Sequence, residues 1–156
     1  MVSKLEWCKK QKRGIKLVTP SESLYEAYMK KAKEALKAVK VNLDGGIVSW
    51  AISASYYAKY FAVCALISRI GIKSEIHECT IEVFEFLFKD KINRKYIIDL
   101  KRSKNTRIEI QYYLGEVRVD EKKLIQTTRE FINEIEKLVE KLSEEEISLL
   151  RKKLEV

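Results

Sequence analysis

The spacing of apolar residues along the chain predicts helices over most of its length. Over 24–41, and again over 124–142, apolar residues recur three and four positions apart, which places them on one side of a helix. The segment 46–70 is apolar nearly all round, which is typical of a helix surrounded by other helices. We therefore expect a helical core with the segment 46–70 at its centre.

Capping sequences predict where two of the helices start. Thr19 is a suitable N-cap, Pro20 then falls at the first helical position, and Glu22 completes a capping box. Ser143 and Glu146 form a second capping box, which predicts a short terminal helix.

Two segments need arbitration between helix and strand. Residues 75–89 partly alternate like a strand, but their charged positions recur at spacings of three and four, which favours a helix. The charged positions of residues 75–89 are Glu75, Glu78, Glu82, Glu85 and Lys89. Residues 91–119 either continue as a helix or form a hairpin that turns near Gly115.

The predicted fold class is all-α, an up-and-down antiparallel bundle of four to six helices. A length of 156 residues predicts a single domain over 1–156, with a lead-in at 1–18 and the short terminal helix at 143–156. An apolar fraction of 46% is enough for a core and excludes a disordered chain. We predict no membrane span, because Lys59 lies near the middle of the one long apolar segment.

The net charge of +8 comes from two basic blocks, at 1–40 and 89–107. The second block contains eight basic and two acidic side chains. Such a block either attracts phosphates or is simply a solvated lysine-rich surface. Two tyrosine pairs, at 56–57 and 112–113, either stack on bases or belong to the core.

The chain contains few groups that could form a catalytic or metal site. Its three cysteines form no CxxC pair, and its five glycines form no phosphate loop, so we expect neither a metal nor a cofactor. The odd cysteine number and the polar start of the chain indicate the cytoplasm. His77 is the only histidine, and it either acts as a general base or phosphate ligand or only fixes a helix start.

The segment from Ser53 to His77, SASYYAKYFAVCALISRIGIKSEIH, resembles the central part of the HEPN family, the nucleotide-binding domains of higher eukaryotes and prokaryotes. The lead-in from Trp7 to Leu36 is similar to archaeal members, and the whole is closest to small stand-alone archaeal and bacterial proteins. The segment RIEIQY at 107–112 is similar to a family stretch ahead of the last long helix. The resemblance implies a helical bundle that forms homodimers, and it favours helix for 91–113.

The resemblance also implies a site, from which this sequence departs. Nuclease members carry an arginine, four to six residues and then a histidine, and they cleave RNA without a metal. Here Arg107 is followed by four residues and then by Tyr112. A phenol, with an ordinary pKa of about 10, is a poor general base at neutral pH. Arg107, Tyr112 and His77 are the candidate catalytic residues, but the missing histidine argues against an enzyme.

Three functions are thus open. The first, which we favour, is a non-catalytic or weakly catalytic HEPN subunit that pairs with a minimal nucleotidyltransferase in a toxin–antitoxin-like module. The second is a metal-independent ribonuclease toxin. The third is nucleotide or RNA binding without cleavage, for which the candidate contacts are Arg102, Lys104 and Tyr113.

Overall fold

The chain folds into a helical bundle with one very short ribbon. The computed structural model describes residues 2–112, 114 and 118–155, and this part of the chain contains seven helices and two strands. The predicted all-α class is confirmed, and the helix beyond the expected four to six is accounted for by α1, in the lead-in. In chain order the elements are α1 (Lys4–Lys10), β1 (Lys16–Leu17), α2 (Glu22–Asp44), α3 (Val48–Arg69), β2 (Ile72–Lys73), α4 (His77–Phe88), α5 (Arg94–Tyr112), α6 (Glu121–Lys141) and α7 (Glu144–Glu155).

Helix α3 lies at the centre of the bundle, as its apolar sequence predicts. It packs against α2, α5 and α6, and it is buried on nearly every side. Even Lys59, in the middle of this helix, is only 2% exposed. None of the helices in the described ranges is long and apolar enough to cross a membrane. Alanines on several sides of α3 let its neighbours approach closely, and the fully buried ones are Ala51, Ala58, Ala62 and Ala65.

The start of α2 differs from the prediction. Ser21, not Thr19, is the N-cap, and its hydroxyl accepts a hydrogen bond of 3.1 Å from the Leu24 amide. The reason lies in the preceding residues, which are held against the end of α3: the Ser21 amide donates to the Ser68 carbonyl at 3.0 Å. The helix can therefore begin only after this attachment.

A ribbon of two short strands lies at the end of α3. Strands β1 and β2 pair antiparallel, with Lys16 opposite Lys73. Between α3 and β2, Gly71 adopts a φ of +80°, which an L side chain rarely adopts. The Arg151 guanidinium of α7 donates to the carbonyls of Val18, Ile70 and Gly71, and so fastens the terminal helix to this turn.

The segment that was open between helix and hairpin is helical as far as Tyr112. α5 runs over Arg94–Tyr112, which agrees with the helix that the resemblance implies. The proposed turn near Gly115 lies outside the described residues. Residues 77–88 also form a helix, as their charge spacing predicts. At the C-terminal end, the Glu146 amide donates to the Ser143 hydroxyl at 3.1 Å, and that hydroxyl donates to the Glu146 carboxylate at 3.4 Å, so Ser143 caps α7 as the sequence predicts.

A disulfide joins two distant parts of the chain. Cys8 of α1 and Cys79 of α4 are bonded across a separation of 71 residues, and both are fully buried. This pairing is not predictable from the sequence, because the two cysteines share no recognisable motif. Cys64 is free and buried, and burial raises the pKa of its thiol to about 12.

Candidate functional site

The only histidine lies at the start of α4 and contacts aromatic residues of α3. The Nδ1 atom of His77 and the hydroxyl of Tyr56 are 2.8 Å apart, within hydrogen-bond distance. The His77 ring also stacks on Tyr60, with ring centroids 4.0 Å apart and planes 13° apart. Tyr57 meets the same ring edge-on. His77, at the start of α4, therefore packs against the tyrosine side chains of α3.

Arg107 of α5 lies against the same tyrosines. Its guanidinium carbon is 5.1 Å from the Tyr56 ring centroid and 5.4 Å from the Tyr57 ring centroid, so both rings make cation–π contacts with it. The guanidinium also donates to the Tyr57 hydroxyl at 3.4 Å. Arg107 and His77 thus both contact Tyr56 and Tyr57. We call Tyr56, Tyr57, Tyr60, His77 and Arg107 the histidine cluster.

Arg107 belongs to a row of polar residues on α5 that faces α3. The row recurs every four residues, so its members lie on one side of the helix. We call it the polar row of α5, and its members are Asp99, Ser103, Arg107 and Gln111.

Each member of the polar row contacts α3. Lys59 forms a 2.8 Å ion pair with Asp99 and donates to the Ser103 hydroxyl at 2.8 Å. Further along, Gln111 accepts a 3.2 Å hydrogen bond from Arg107 and donates to Ser53 at 2.8 Å. The row therefore fixes the position of α5, and of Arg107 with it, relative to α3.

One atom of this arrangement has no partner. The Nε of Arg107 is the only buried side-chain nitrogen or oxygen in the described ranges that makes no hydrogen bond. An unpaired buried donor lowers stability by about 1–3 kcal/mol. The contacts of the other guanidinium atoms must offset this loss.

The protonation state of the cluster follows from its burial and charge. Burial lowers the pKa of His77 from its ordinary 6.5, and the positive charges of Arg107 and Lys104 lower it further. Burial also raises the pKa of the Tyr56 phenol well above 10, so this hydroxyl keeps its proton. The hydrogen bond between Tyr56 and His77 can form in either tautomer of the neutral ring. The phenol donates to an unprotonated Nδ1 when the ring proton is on Nε2, and a protonated Nδ1 donates to the phenol oxygen when Nε2 is the unprotonated nitrogen.

The candidate site residues from the sequence do not all come together. Arg107 and His77 share the histidine cluster, but Tyr112 lies outside it at the end of α5 and is 69% exposed. Tyr112 instead lines a shallow groove with Trp50 and Ile110. The idea that Tyr112 belongs to the core is therefore wrong, whereas it is right for Tyr56 and Tyr60.

The candidate nucleotide contacts have different surroundings. Lys104 forms a 3.2 Å ion pair with Glu78, and this charge–charge hydrogen bond lowers the pKa of the Glu78 carboxyl. Arg102 is exposed and has no ion pair with the described residues. Tyr113 lies outside the described residues. The described part of the chain contains no group of histidine, cysteine and carboxylate side chains that could hold a metal ion.

Two residues that contact Arg107 are not among the candidate site residues from the sequence. Tyr57 and Gln111 both hydrogen-bond to Arg107, yet the sequence pattern leaves Tyr57 open between base stacking and the core and predicts no role for Gln111. A signal for Gln111 was present, because it follows Arg107 by four residues on a helix. No comparable signal connected His77 to Arg107, since the two meet only through α3.

Comparison with known proteins gives the family. A model of the HEPN domain matches residues 25–142, which is most of the chain. The chain belongs to the HEPN family. A search of curated proteins found no match. The resemblance seen in the sequence is thus confirmed for the family, and membership supports a nucleotide-binding or ribonuclease-like module for this HEPN protein.

Proposed function

We propose that this HEPN protein is a non-catalytic or weakly catalytic subunit that pairs with a minimal nucleotidyltransferase in a toxin–antitoxin-like module. The observation that carries the proposal is the position of Tyr112, which stands where nuclease relatives have the motif histidine. Its side chain is exposed and forms no hydrogen bond or ring contact with Arg107 or another described residue. An acid–base pair made of Arg107 and Tyr112 is therefore not assembled within the chain.

His77 can supply the missing base in only one of its two tautomers. Where Nδ1 accepts the Tyr56 hydroxyl, the other ring nitrogen carries the proton and has no lone pair with which to take one from a ribose hydroxyl. In the other tautomer the protonated Nδ1 donates to the Tyr56 oxygen, and the buried Tyr56 hydroxyl then has no acceptor among the described residues. This cost supports a subunit that acts by binding.

The pairing is tested by co-purification. The chain is co-expressed with an affinity-tagged minimal nucleotidyltransferase encoded beside it in the native host, and the complex is captured on the tag. We expect both chains to be recovered together, and light scattering of the chain alone to show a homodimer. A tagged nucleotidyltransferase of similar size from an unrelated locus is the control. If the chain passes through both columns equally, or if no such gene lies nearby, the proposal is wrong.

The second candidate is a metal-independent ribonuclease, and one observation favours it. Arg107 and His77 both contact Tyr56, although 30 positions separate them in the sequence. A guanidinium could stabilise charge on a phosphate, while an imidazole in its other tautomer could transfer the ribose proton. This candidate therefore uses His77 in place of the motif histidine.

An RNA-cleavage assay separates the two candidates. Under the leading proposal, the wild type cleaves no faster than the Arg107→Ala and His77→Ala variants. Under the ribonuclease candidate, the wild type cleaves and both variants lose that activity. The Tyr112→His variant restores the family's arginine–histidine spacing and is the positive control for the assembled motif. The ribonuclease candidate fails if the wild type and the two alanine variants cleave equally or not at all.

A further inference from the structure

The disulfide joins the first helix to the helix that begins with His77. Cys79 follows His77 by two residues on α4, and its partner Cys8 lies on α1. The backbone carbonyl of Cys8 also accepts a 2.9 Å hydrogen bond from the Ile15 amide, so the disulfide holds the chain on both sides of the turn that leads to β1. We call residues 2–12 the N-terminal segment, because the chain from Arg13 onward is held by other contacts: the Glu75 amide donates to the Arg13 carbonyl at 2.9 Å, and β1 pairs with β2.

Apart from the disulfide, the contacts of α1 with the rest of the molecule are few, and the main one is the half-buried Leu5, which packs against the core. Cys8 is its only fully buried residue, and its seven residues are far fewer than the roughly 12–15 that an isolated helix needs. The ion pair between Lys4 and Glu78 spans 3.9 Å, and both side chains are more than half exposed, so its contribution is small. The disulfide is therefore a large part of what holds α1 in place.

The start of α4 is also weakly held by its own sequence. Its N-cap is Ile76, which offers no side-chain acceptor to the first amides of the helix. Cys79 lies in this first turn together with His77 and with Glu78, which pairs with Lys104. We therefore expect a change at Cys79 to shift the first turn of α4 and, with it, the surroundings of His77.

We propose that the Cys8–Cys79 disulfide is a redox-sensitive clasp, whose reduction releases the N-terminal segment and changes the environment of His77. The reductant is a dithiol. One of its thiolates attacks a sulfur of the disulfide and forms a mixed disulfide, and the other cysteine leaves as a thiolate. The second thiol of the reductant then displaces the protein, so that the reductant is oxidised to a disulfide and both cysteines end as thiols.

The segment itself provides the first readout. It contains four basic residues, Lys4, Lys9, Lys10 and Lys12, so trypsin can report its opening. We expect dithiothreitol to speed cleavage there about tenfold or more, because proteolysis of a locally opened segment follows the population of its open form. The His77 ring signals in NMR should shift in the same samples.

Matched variants separate the clasp from other effects. Cys8→Ala/Cys79→Ala should behave as the reduced wild type with or without reductant, whereas Cys64→Ser removes the free thiol and should respond like the wild type. If the double variant does not fold, the reduced wild type still tests the clasp, because it lacks the disulfide without carrying any substitution.

Three results would overturn the clasp. In the first, mass spectrometry of the air-oxidised protein finds no Cys8–Cys79 bond. In the second, oxidised and reduced protein show equal trypsin cleavage and the same His77 signals. In the third, reduction unfolds the whole chain, as seen by loss of helical circular dichroism. None of these readouts depends on a nucleotidyltransferase or on RNA.

Discussion

At the scale of single residues, the main property of the histidine cluster is that its surroundings keep His77 neutral. Burial lowers its pKa below 6.5, and the positive charges of Arg107 and Lys104 act in the same direction. We expect an NMR titration to give a pKa below 6.5, and the assignment is unambiguous because the chain has one histidine. Arg107→Met should move this pKa back upward, since it removes a nearby positive charge. Arg102→Met, an exposed arginine of the same helix, should leave it unchanged; equal shifts in both variants would contradict this account.

The same pKa makes stability depend on pH. The unfolded chain, with a histidine near 6.5, binds more protons than the folded one between the folded pKa and 6.5. The contribution of neutral His77 is therefore fully present above pH 6.5 and is lost as the pH falls through the folded pKa. Urea unfolding at a series of pH values should show this fall, and His77→Gln should lack it. Glu78 contributes separately, because its pKa is lowered from 4.5. Its stabilisation is fully present above about pH 4.5 and is lost as the pH falls through the folded pKa.

At the scale of elements, the polar row of α5 contains a buried ion pair. Lys59 is almost fully buried, and burial lowers its pKa while Asp99 opposes that shift. Asp99→Asn leaves the ammonium buried without its counter-charge, so we expect a loss of about 2–3 kcal/mol in the free energy of unfolding. That figure is at the low end for a buried pair because the Asp99 side chain is 36% exposed.

Lys59→Met is the matched control for this loss. It removes the buried charge itself, leaves a side chain of similar length, and lets Asp99 turn to water. We expect its stability to lie within about 1 kcal/mol of the wild type. Denaturant unfolding measures both variants, and a larger loss for Lys59→Met than for Asp99→Asn would show that the ammonium is a net stabiliser.

Two glycines with a positive φ allow a test of how the turns around α3 are built. A Cβ on Gly71 would lie 2.5 Å from the Val18 carbonyl oxygen and 2.8 Å from the Pro20 nitrogen, whereas one on Gly46, with φ +74°, meets nothing within 4 Å. Gly46→Ala should cost about 1 kcal/mol for its backbone conformation. Gly71→Ala should cost about 3 kcal/mol or more, because the clash with packed backbone is added. Equal losses in thermal unfolding would contradict the close approach.

The helices themselves could be predicted because their evidence is local. The spacing of Glu78, Glu82 and Glu85 predicts α4, and the all-round apolar sequence of residues 46–70 predicts a buried α3. The Ser21 cap was missed because it depends on a contact with Ser68, and the disulfide because its cysteines are 71 residues apart. In the site, Arg107 and His77 were identified as single residues, but their meeting at Tyr56 depends on how three helices pack, which no short motif records.

At the scale of the whole molecule, the excess positive charge is partly neutralised where it was expected to meet phosphates. In the basic block at 89–107, Lys101 pairs with Glu85 at 2.6 Å and Lys104 pairs with Glu78. Arg102, by contrast, is exposed and has no ion pair with the described residues. The block therefore presents fewer free cations than its sequence suggests, so any binding of RNA through it should involve few phosphates.

Arg102 makes this a quantitative prediction. We expect a fluorescent single-stranded RNA to bind more weakly as salt rises from about 50 to 200 mM, with each phosphate contact contributing about −0.7 to the slope of log affinity against log salt. Arg102→Ala should reduce the steepness of that slope by about 0.7. Lys152→Ala, which removes an exposed cation in the last turn of α7, should not change it. Fluorescence anisotropy measures all three proteins, and an affinity independent of salt, or equal slopes in all three, would remove the basic block from any role in RNA binding.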